Sequence, residues 1–239
     1  MASKSQVQSM FQTISPTYDF LNSLLSFNLD KYWRKKTVDL IRPIWQQQPN
    51  ALILDLCSGT LDLSIQILKQ SGPKTKIFAL DFSSRMLNEG KKKIPEGDRD
   101  RIRLICADIE HLPLRDNVAE AAVMGFGLRN LIDRHQGLRE IKRVLKPSGR
   151  LAILEFSQPR SRFFRAIYYF YSLYILPLIG GLISGNINAY RYLPDSVRKF
   201  YTPDQLQQIM EQIGYRKVAF SLLTAGIVAL HVGEKDRAR

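Results

Sequence analysis

Three aspartates stand at or near the ends of apolar, strand-like runs in the first half of the chain. Asp55 lies in A-L-I-L-D-L-C, Asp81 in K-I-F-A-L-D-F, and Asp108 ends R-I-R-L-I-C-A-D. In a parallel α/β sheet, ligands bind outside the carboxyl ends of the strands. Acidic side chains at three such ends suit a ligand that carries positive charge and hydroxyl groups. They suit a pyrophosphate poorly, because acids repel phosphate.

A tight turn follows the first of these runs. Gly59 lets the backbone turn sharply, and a helix predicted from Thr60 onward offers amide donors that favour a carboxylate or a phosphate. Asp81 could accept both hydroxyls of a ribose, and Asp108 could accept from an adenine amino group. S-adenosylmethionine (AdoMet) carries a sulfonium, an amine, a carboxylate and a ribose, and it fits this set. The alternative is that the aspartates only cap loops.

The elements that must position these residues alternate from residue 51 onward, which predicts a parallel sheet covered by helices on both faces. The predicted strands are 51–57, 76–82, 101–108, 120–127 and 150–157, and the predicted helices are 60–70, 84–93 and 134–145. Thr202-Pro203-Asp204 should open a further helix. Strands 217–224 and 226–233 are separated by little more than Ala225-Gly226, so we expect an antiparallel hairpin.

Helical segments flank and interrupt this pattern, and we interpret residues 1–239 as a single domain. Residues 1–46 are predicted to form accessory helices. One helical face carries Val7, Met10, Phe11 and Ile14, and breaks are expected at Pro16 and Asn28-Leu29-Asp30.

A second helical region, 158–200, is predicted as an insert. Its apolar part, 163–184, approaches the length of a membrane span, but Arg165, Pro177 and Gly180-Gly181 interrupt it. A helix that caps an apolar cavity or lies against a bilayer is therefore favoured over a transmembrane span.

Composition and charge limit the partners and the compartment. The chain has 35 Lys and Arg against 22 Asp and Glu, a net charge of +13, which suits nucleic acid or an acidic membrane surface, or is simply a basic surface. Cys57 and Cys106 have no metal-site spacing and are predicted to be small buried side chains in a reducing compartment. The N-terminus lacks the apolar core of a signal peptide, so a cytoplasmic location is expected.

Longer motifs run nearly from end to end of the chain. They are M-F-x-x-I-S-P-x-Y-D (10–19), L-N-S-L-L-S (21–26), W-R (33–34), L-D-L-x-S-G-T-x-D-L (54–63), A-D-x-E-x-L-P (107–113), G-F-G-L-R-N (125–130), R-V-L-K-P-S-G-R-L-A-I-L-E-F-S (143–157), Y-x-Y-L-P-D-S-V (190–197) and L-T-A-G-I-V-A-L-H-V-G (223–233). With these motifs the chain resembles the UbiE/MenG/COQ5 family of quinone-ring C-methyltransferases. The strand-one motif alone indicates only an AdoMet-binding fold, whereas G-F-G-L-R-N, L-E-F-S and A-L-H-V-G are more diagnostic.

The resemblance implies a class I methyltransferase fold. This is a seven-stranded, mostly parallel α/β sheet with a C-terminal antiparallel hairpin, here with added N-terminal helices. It also implies AdoMet-dependent methylation of a prenylated quinol, for which we favour demethylmenaquinol. The family's cofactor positions fall on Thr60, Asp81, Asp108, Ile109 and Gly125, and the turn described above adds Asp55 and Gly59.

Three positions depart from the family pattern. Leu61 stands where relatives usually have glycine, and it would either crowd the cofactor or point into the helix packing. Gly125 stands where many relatives have serine, so a hydroxyl contact would be lost. The segment 198–203 is more basic and aromatic than usual.

Methylation of a ring carbon needs an electron-rich ring, which a hydroquinone becomes when a hydroxyl with a pKa near 10 loses its proton. Arg129 and Asn130 are expected to bind the quinol oxygen, and Tyr18 to hydrogen-bond the substrate. The alternatives are a salt bridge for Arg129 and simple packing for Tyr18. Asp108 and His231 are candidate bases, although a buried core histidine describes His231 better. No cluster of acids and histidines predicts a metal.

Other interpretations stay open at this stage. A nucleic-acid methyltransferase would suit the +13 charge, but G-F-G-L-R-N stands where base-amino methyltransferases commonly carry an N/D-P-P-Y type segment, so no nucleic acid is expected. Leu61 and Gly125 are the only support for a non-catalytic AdoMet-fold subunit of a quinone-synthesis complex. The motifs do not separate a naphthoquinol from a benzoquinol precursor of ubiquinone, or from action on both. Peripheral membrane contact is expected, and an oligomer or a complex is possible.

Overall fold

The computed structural model describes residues 10, 12–13, 15, 18–184 and 187–237. Val7, Phe11, Ile14 and Pro16, on which part of the N-terminal helix prediction rests, lie outside the described residues. The helices are α1 (Tyr18–Leu25), α2 (Leu29–Gln47), α3 (Asp62–Gln70), α4 (Ser84–Lys91), α5 (Arg134–Val144), α6 (Arg162–Phe170), α7 (Leu176–Ser184), α8 (Ile187–Arg198) and α9 (Pro203–Ile213). The strands are β1 (Leu52–Leu56), β2 (Lys76–Asp81), β3 (Ile102–Cys106), β4 (Ala119–Gly125), β5 (Leu145–Phe156), β6 (Tyr215–Leu223) and β7 (Val228–Lys235).

The seven strands form one sheet in the order β3-β2-β1-β4-β5-β7-β6. β1 to β5 pair in parallel, and β7 is antiparallel to both β5 and β6. The predicted seven-stranded, mostly parallel sheet with a closing hairpin is therefore confirmed. The chain runs outward from β1 to β3 and then returns to the other side of β1, so the strand order reverses between β1 and β4. A ligand crevice is expected at the carboxyl ends of these two strands.

Helices cover both faces of the sheet, which explains why its inner strands are apolar throughout. α5 and α9 cover one face, and α2 and α3 contribute most of the other. The predicted capping of α9 is confirmed: the Thr202 hydroxyl accepts from the Gln205 amide, and the Gln205 side chain accepts from the Thr202 amide. This reciprocal pair fixes where the helix begins.

Several predicted boundaries shift for local reasons. The helix predicted from residue 60 begins at Asp62, because Leu61 takes a left-handed conformation. β5 begins at Leu145 rather than 150, because Leu145 already pairs with Ala119. The turn of the last hairpin takes three residues with positive φ, Thr224 to Gly226, so β7 begins at Val228.

Two predictions about individual buried side chains had different outcomes. His231 lies inside the hairpin, 1% exposed, with its Nε2 3.0 Å from the Pro203 carbonyl oxygen. It is the core histidine that was favoured, and burial lowers its pKa. The prediction that Cys106 is buried was wrong, because it ends β3, the edge strand, and is exposed.

The insert contains a long apolar helix that the rest of the protein covers only in part. α6 and α7 are joined by a π-helical turn over residues 171–175. Within the described residues, Arg162–Ile183 is the one helix long and apolar enough to cross a membrane by length and composition, and 28% of its most apolar stretch is buried. Phe163, Phe170 and Leu182 are 69%, 60% and 79% exposed.

Candidate active site

A narrow cavity of about 60 Å³ lies at the carboxyl ends of β1, β2 and β4. Seven of the predicted cofactor and catalytic residues line it: Tyr18, Gly59, Asp81, Asp108, Ile109, Gly125 and Asn130. Ligand sites usually measure roughly 300–1,000 Å³, so a nucleoside-sized ligand must displace part of this wall. We call this space the cofactor cavity.

Asp81 joins the turn after β1 to the turn after β2. Its carboxylate accepts from the Gly59 amide at 2.8 Å and from the Ser83 amide at 2.8 Å. Gly59 makes this approach with a φ of +52°, which glycine adopts without strain. Burial raises the pKa of Asp81 to about 6, although both amide hydrogen bonds oppose the shift. The carboxylate is therefore fixed at the cavity wall, where cationic or hydroxyl-bearing groups would stabilise its charge.

Asp55 lies beneath the turn, and it is not among the lining residues. One carboxylate oxygen accepts from the Ser64 amide at 3.0 Å and from the Ser64 hydroxyl at 2.6 Å, which anchors the start of α3. The other oxygen, Oδ1, is buried and has no hydrogen-bond partner among the described residues. Burial raises the pKa of Asp55 to about 7. A direct cofactor contact by Asp55 stays a prediction, since its unpartnered oxygen lies beneath the turn and outside the lining of the cavity.

Asp108, Ile109 and Gly125 also line the cavity. Asp108 also accepts from the Glu110 amide at 3.0 Å, so it caps the short turn that follows it. At Gly125, an added Cβ would lie 3.0 Å from Cδ1 of Leu63. A serine at position 125 would therefore require the Leu63 methyl group to shift by a few tenths of an ångström.

The structure decides the orientation of Leu61. Its side chain is fully buried and packs over Gly90 of α4, where an added Cβ would lie 2.4 Å from the Leu61 Cγ. Leu61 is absent from the lining of the cofactor cavity. It therefore points into the helix packing and does not crowd the ligand.

Thr60 is buried and contacts the N-terminal helix. Its hydroxyl hydrogen-bonds the carboxylate of Asp19 on α1. Asp19 also pairs with Lys93 at 2.7 Å, and Lys93 pairs with Asp62 at 2.6 Å. These ion pairs hold α1 over the turn, with Tyr18 in the cavity wall. A cofactor contact by the Thr60 hydroxyl stays a prediction, since here that hydroxyl is committed to Asp19.

A second, larger cavity of about 320 Å³ lies beside the first. Apolar and aromatic side chains dominate its wall, among them Leu25, Phe27, Trp33, Phe156, Phe164, Ile167, Tyr168, Tyr171, Leu176 and Leu193. Phe156 of this wall stacks on Phe126 of the cofactor cavity, with ring centroids 4.5 Å apart. We call the second space the tail cavity, and this ring pair joins its wall to that of the first.

Arg129 lies between the two cavities but is not among the lining residues of either. Its Nη1 donates to Glu155 at 2.7 Å and to the Phe126 carbonyl, and its guanidinium lies 5.4 Å from the centroid of the Phe156 ring. The charge of Arg129 lowers the pKa of Tyr18, Tyr168 and Tyr192, against the larger effect of burial, which raises all three. Arg129 therefore forms a salt bridge, which was the alternative to substrate binding. Direct contact of Arg129 with the substrate stays a prediction.

Sequence reasoning missed Glu155 and Tyr192. Glu155 is 1% exposed and accepts from both the backbone amide and the side chain of Arg129. An acid within the otherwise apolar run L-A-I-L-E-F was an available signal, because a buried carboxylate requires a partner. Tyr192 donates to Asn130 from a helix 62 residues away in sequence, and no local pattern predicts that contact.

The chemistry of the donor set fits AdoMet. Asp81 and Asp108 line the cavity and could accept from the ribose hydroxyls and the adenine amino group. The buried, unpartnered Asp55 oxygen beneath them adds an acidic group that favours a cationic ligand. No group of three or more potential metal ligands occurs within the described residues. A crystal structure of a SAM-dependent methyltransferase from Aquifex aeolicus has a similar fold, with a TM-score of 0.57 at 19% identity, over 78% of this chain and 82% of that one. Fold and site together define a class I AdoMet-dependent methyltransferase.

Sequence comparison makes the assignment more specific. The chain belongs to the ubiE/COQ5 methyltransferase family, whose profile matches residues 1–235. It is 42% identical over 231 residues to the ubiquinone/menaquinone biosynthesis C-methyltransferase UbiE of Geotalea daltonii, covering 96% of each chain. It is 42% identical over 226 residues to the demethylmenaquinone methyltransferase of Thermus thermophilus, covering 95% of this chain and 100% of the relative. AdoMet is therefore its cofactor.

Proposed function

We propose that this enzyme methylates a ring carbon of a prenylated quinol, with demethylmenaquinol as the substrate. The observation that carries the proposal is the tail cavity, an apolar space whose wall meets that of the acid-lined cofactor cavity at the Phe126–Phe156 pair. A polar ring on an apolar tail would place its ring near Asn130 and its tail among the aromatic side chains. The names of the relatives, one acting on demethylmenaquinone, support the same substrate class.

The residues between the cavities supply what the ring requires. AdoMet, when bound, supplies a methyl group made electrophilic by the positive sulfur. Asn130 and Tyr18 offer hydrogen bonds to the ring oxygen, and Arg129 offers positive charge as that oxygen loses its proton. Glu155 balances the charge of Arg129. The ring oxygen would therefore experience the electric field of an oriented ion pair and not that of an isolated positive charge. The ring loses one proton for each methyl group it gains, and the candidate acceptors of the quinol proton are Asp108, which lines the cofactor cavity, and solvent.

Peripheral contact with a membrane completes the proposal. Phe27 and Phe164, in the rim of the tail cavity, are 75% and 50% exposed and continue the uncovered apolar face of α6 and α7. The net charge of +13 would favour contact with an acidic membrane surface. Arg160, just before α6, forms an exposed ion pair with Asp204 at 2.9 Å. The mouth of the cavity would face the lipid in which a prenylated quinol dissolves.

Labelled AdoMet tests the proposal directly. The protein is incubated with a demethylmenaquinone analogue, a benzoquinone precursor or RNA, each with and without dithionite. We expect transfer to the naphthoquinone analogue only after reduction, because an oxidised quinone is an electrophile and cannot attack a methyl donor. Transfer that ignores the redox state would refute the mechanism, transfer to the benzoquinol alone would correct the ring, and transfer to RNA would refute the function.

Vesicle binding tests the membrane contact separately. We expect more protein on anionic vesicles than on neutral ones, and less at high salt. Equal binding to both vesicle types would reject the electrostatic part. Binding by a Phe27→Ser, Phe164→Ser variant at the level of the unchanged protein would reject the apolar part.

A further inference from the structure

The hydroxyl of Tyr192 fixes the side-chain amide of Asn130. Tyr192 lies on α8, and its hydroxyl donates to Asn130 Oδ1 at 3.0 Å. The other end of the amide, Nδ2, donates to the Phe126 carbonyl at 3.3 Å. Two partners at opposite ends hold the amide in one orientation, so the group that lines the cofactor cavity is set by a residue outside the cavity wall.

The same helix reaches the tail cavity at the next position. Leu193 lines that cavity, and it also packs in a small apolar cluster with Leu21 and Leu176. Tyr192 and Leu193 are consecutive residues of one helix. A tail that presses on Leu193 therefore acts on the same segment that holds Asn130.

We propose that Tyr192 is a positioning residue that couples occupation of the tail cavity to the orientation of Asn130. The inference rests on the proposed function, because it takes a prenylated quinol as the occupant of the tail cavity. Binding energy from a remote part of a substrate accelerates a reaction when it orients groups at the reacting centre, and a truncated substrate then loses kcat as well as affinity. The prenyl tail should accordingly raise kcat, and it should do so through Tyr192.

The test compares two reduced naphthoquinol substrates, one with a two-unit prenyl tail and one with no tail. For the unchanged protein we expect a higher kcat on the tailed substrate. In Tyr192→Phe, which removes one neutral hydrogen bond, kcat on the tailed substrate should fall about three- to tenfold. The kcat on the tailless substrate should fall less, because no tail then presses on Leu193. The tail advantage in kcat should therefore shrink while the tail advantage in KM remains.

Tyr169→Phe is the matched control. Tyr169 is on α6, its hydroxyl donates to Gln158 at 2.8 Å, and it does not line the tail cavity. The same loss of one phenol hydroxyl from the insert should leave the tail advantage intact. Leu193→Ala is a second variant, expected to shrink the tail advantage in kcat with Tyr192 in place. Affinity for S-adenosylhomocysteine should stay within twofold in all three variants.

The outcomes separate the two proposals. If the unchanged protein methylates neither quinol, the proposed function fails and the coupling fails with it. If it methylates both and Tyr192→Phe keeps the full tail advantage in kcat, only the coupling is overturned. Equal loss of that advantage in Tyr192→Phe and Tyr169→Phe would also overturn it, because the effect would then belong to the insert as a whole.

Discussion

Replacement of Leu61 separates its two structural properties, a buried side chain and a strained backbone. The side chain is fully buried over Gly90, and φ at Leu61 is +70°. Loss of a buried leucine to alanine typically costs about 2–5 kcal/mol of unfolding free energy. A left-handed conformation costs a residue other than glycine about 1–2 kcal/mol. Leu61→Ala keeps that strain, whereas Leu61→Gly releases it.

The two variants should therefore rank in an unusual order. Glycine inside a helix is less stable than alanine by about 1 kcal/mol. Leu61 precedes the helix and has a positive φ, so that penalty does not apply, and Leu61→Gly should be more stable than Leu61→Ala by about 1 kcal/mol. Both should remain less stable than the unchanged protein. Affinity for AdoMet should change less than twofold, because Leu61 does not line the cofactor cavity.

Urea unfolding and calorimetry with S-adenosylhomocysteine measure both effects. Ile67 provides the control, since it is equally buried but lies within α3. There glycine should be less stable than alanine by the usual amount of about 1 kcal/mol. If the same order appears at position 61, the strain argument fails. A tenfold change in affinity at retained stability would show that Leu61 belongs to the pocket after all.

Three further predictions concern the buried charges. Asp81→Ala should weaken AdoMet binding by about 1.5–3 kcal/mol, and unchanged affinity by calorimetry in a folded variant would reject the ribose assignment. Asp55 and Asp81 have pKa values of about 7 and about 6, against about 4 when unfolded, so the ligand-free fold holds more protons than the unfolded chain between these values. The free energy of unfolding should therefore fall as pH rises from 4 to 7. Binding of cationic AdoMet should release protons at pH 6.5, so the binding heat measured by calorimetry should depend on the ionisation enthalpy of the buffer. Glu155→Gln leaves the Arg129 guanidinium without its carboxylate and should cost about 3–5 kcal/mol; a loss below 1 kcal/mol in urea would mean that solvent already screens the pair.

Most of the sheet and its order of elements could be predicted from the sequence, because the signals are local. Apolar runs separated by turn residues predict where the strands lie. The four residues Thr202 to Gln205 contain the whole signal for the start of α9. The placement of Asp81, Asp108 and Gly59 around one cavity followed from the rule for strand ends. Each of these predictions required only knowledge of neighbouring residues.

Partner choice was decided only in the tertiary structure. The Thr60 hydroxyl pairs with Asp19, 41 residues away, and Arg129 pairs with Glu155, 26 residues away. Two buried charges must compensate each other, but a one-dimensional pattern does not record which of several acids lies nearest. The sequence by itself determined that a glycine turn and strand-end acids form a ligand site. Packing around that site decided that Leu61 turns toward Gly90, because only the folded chain brings α4 close enough to receive it.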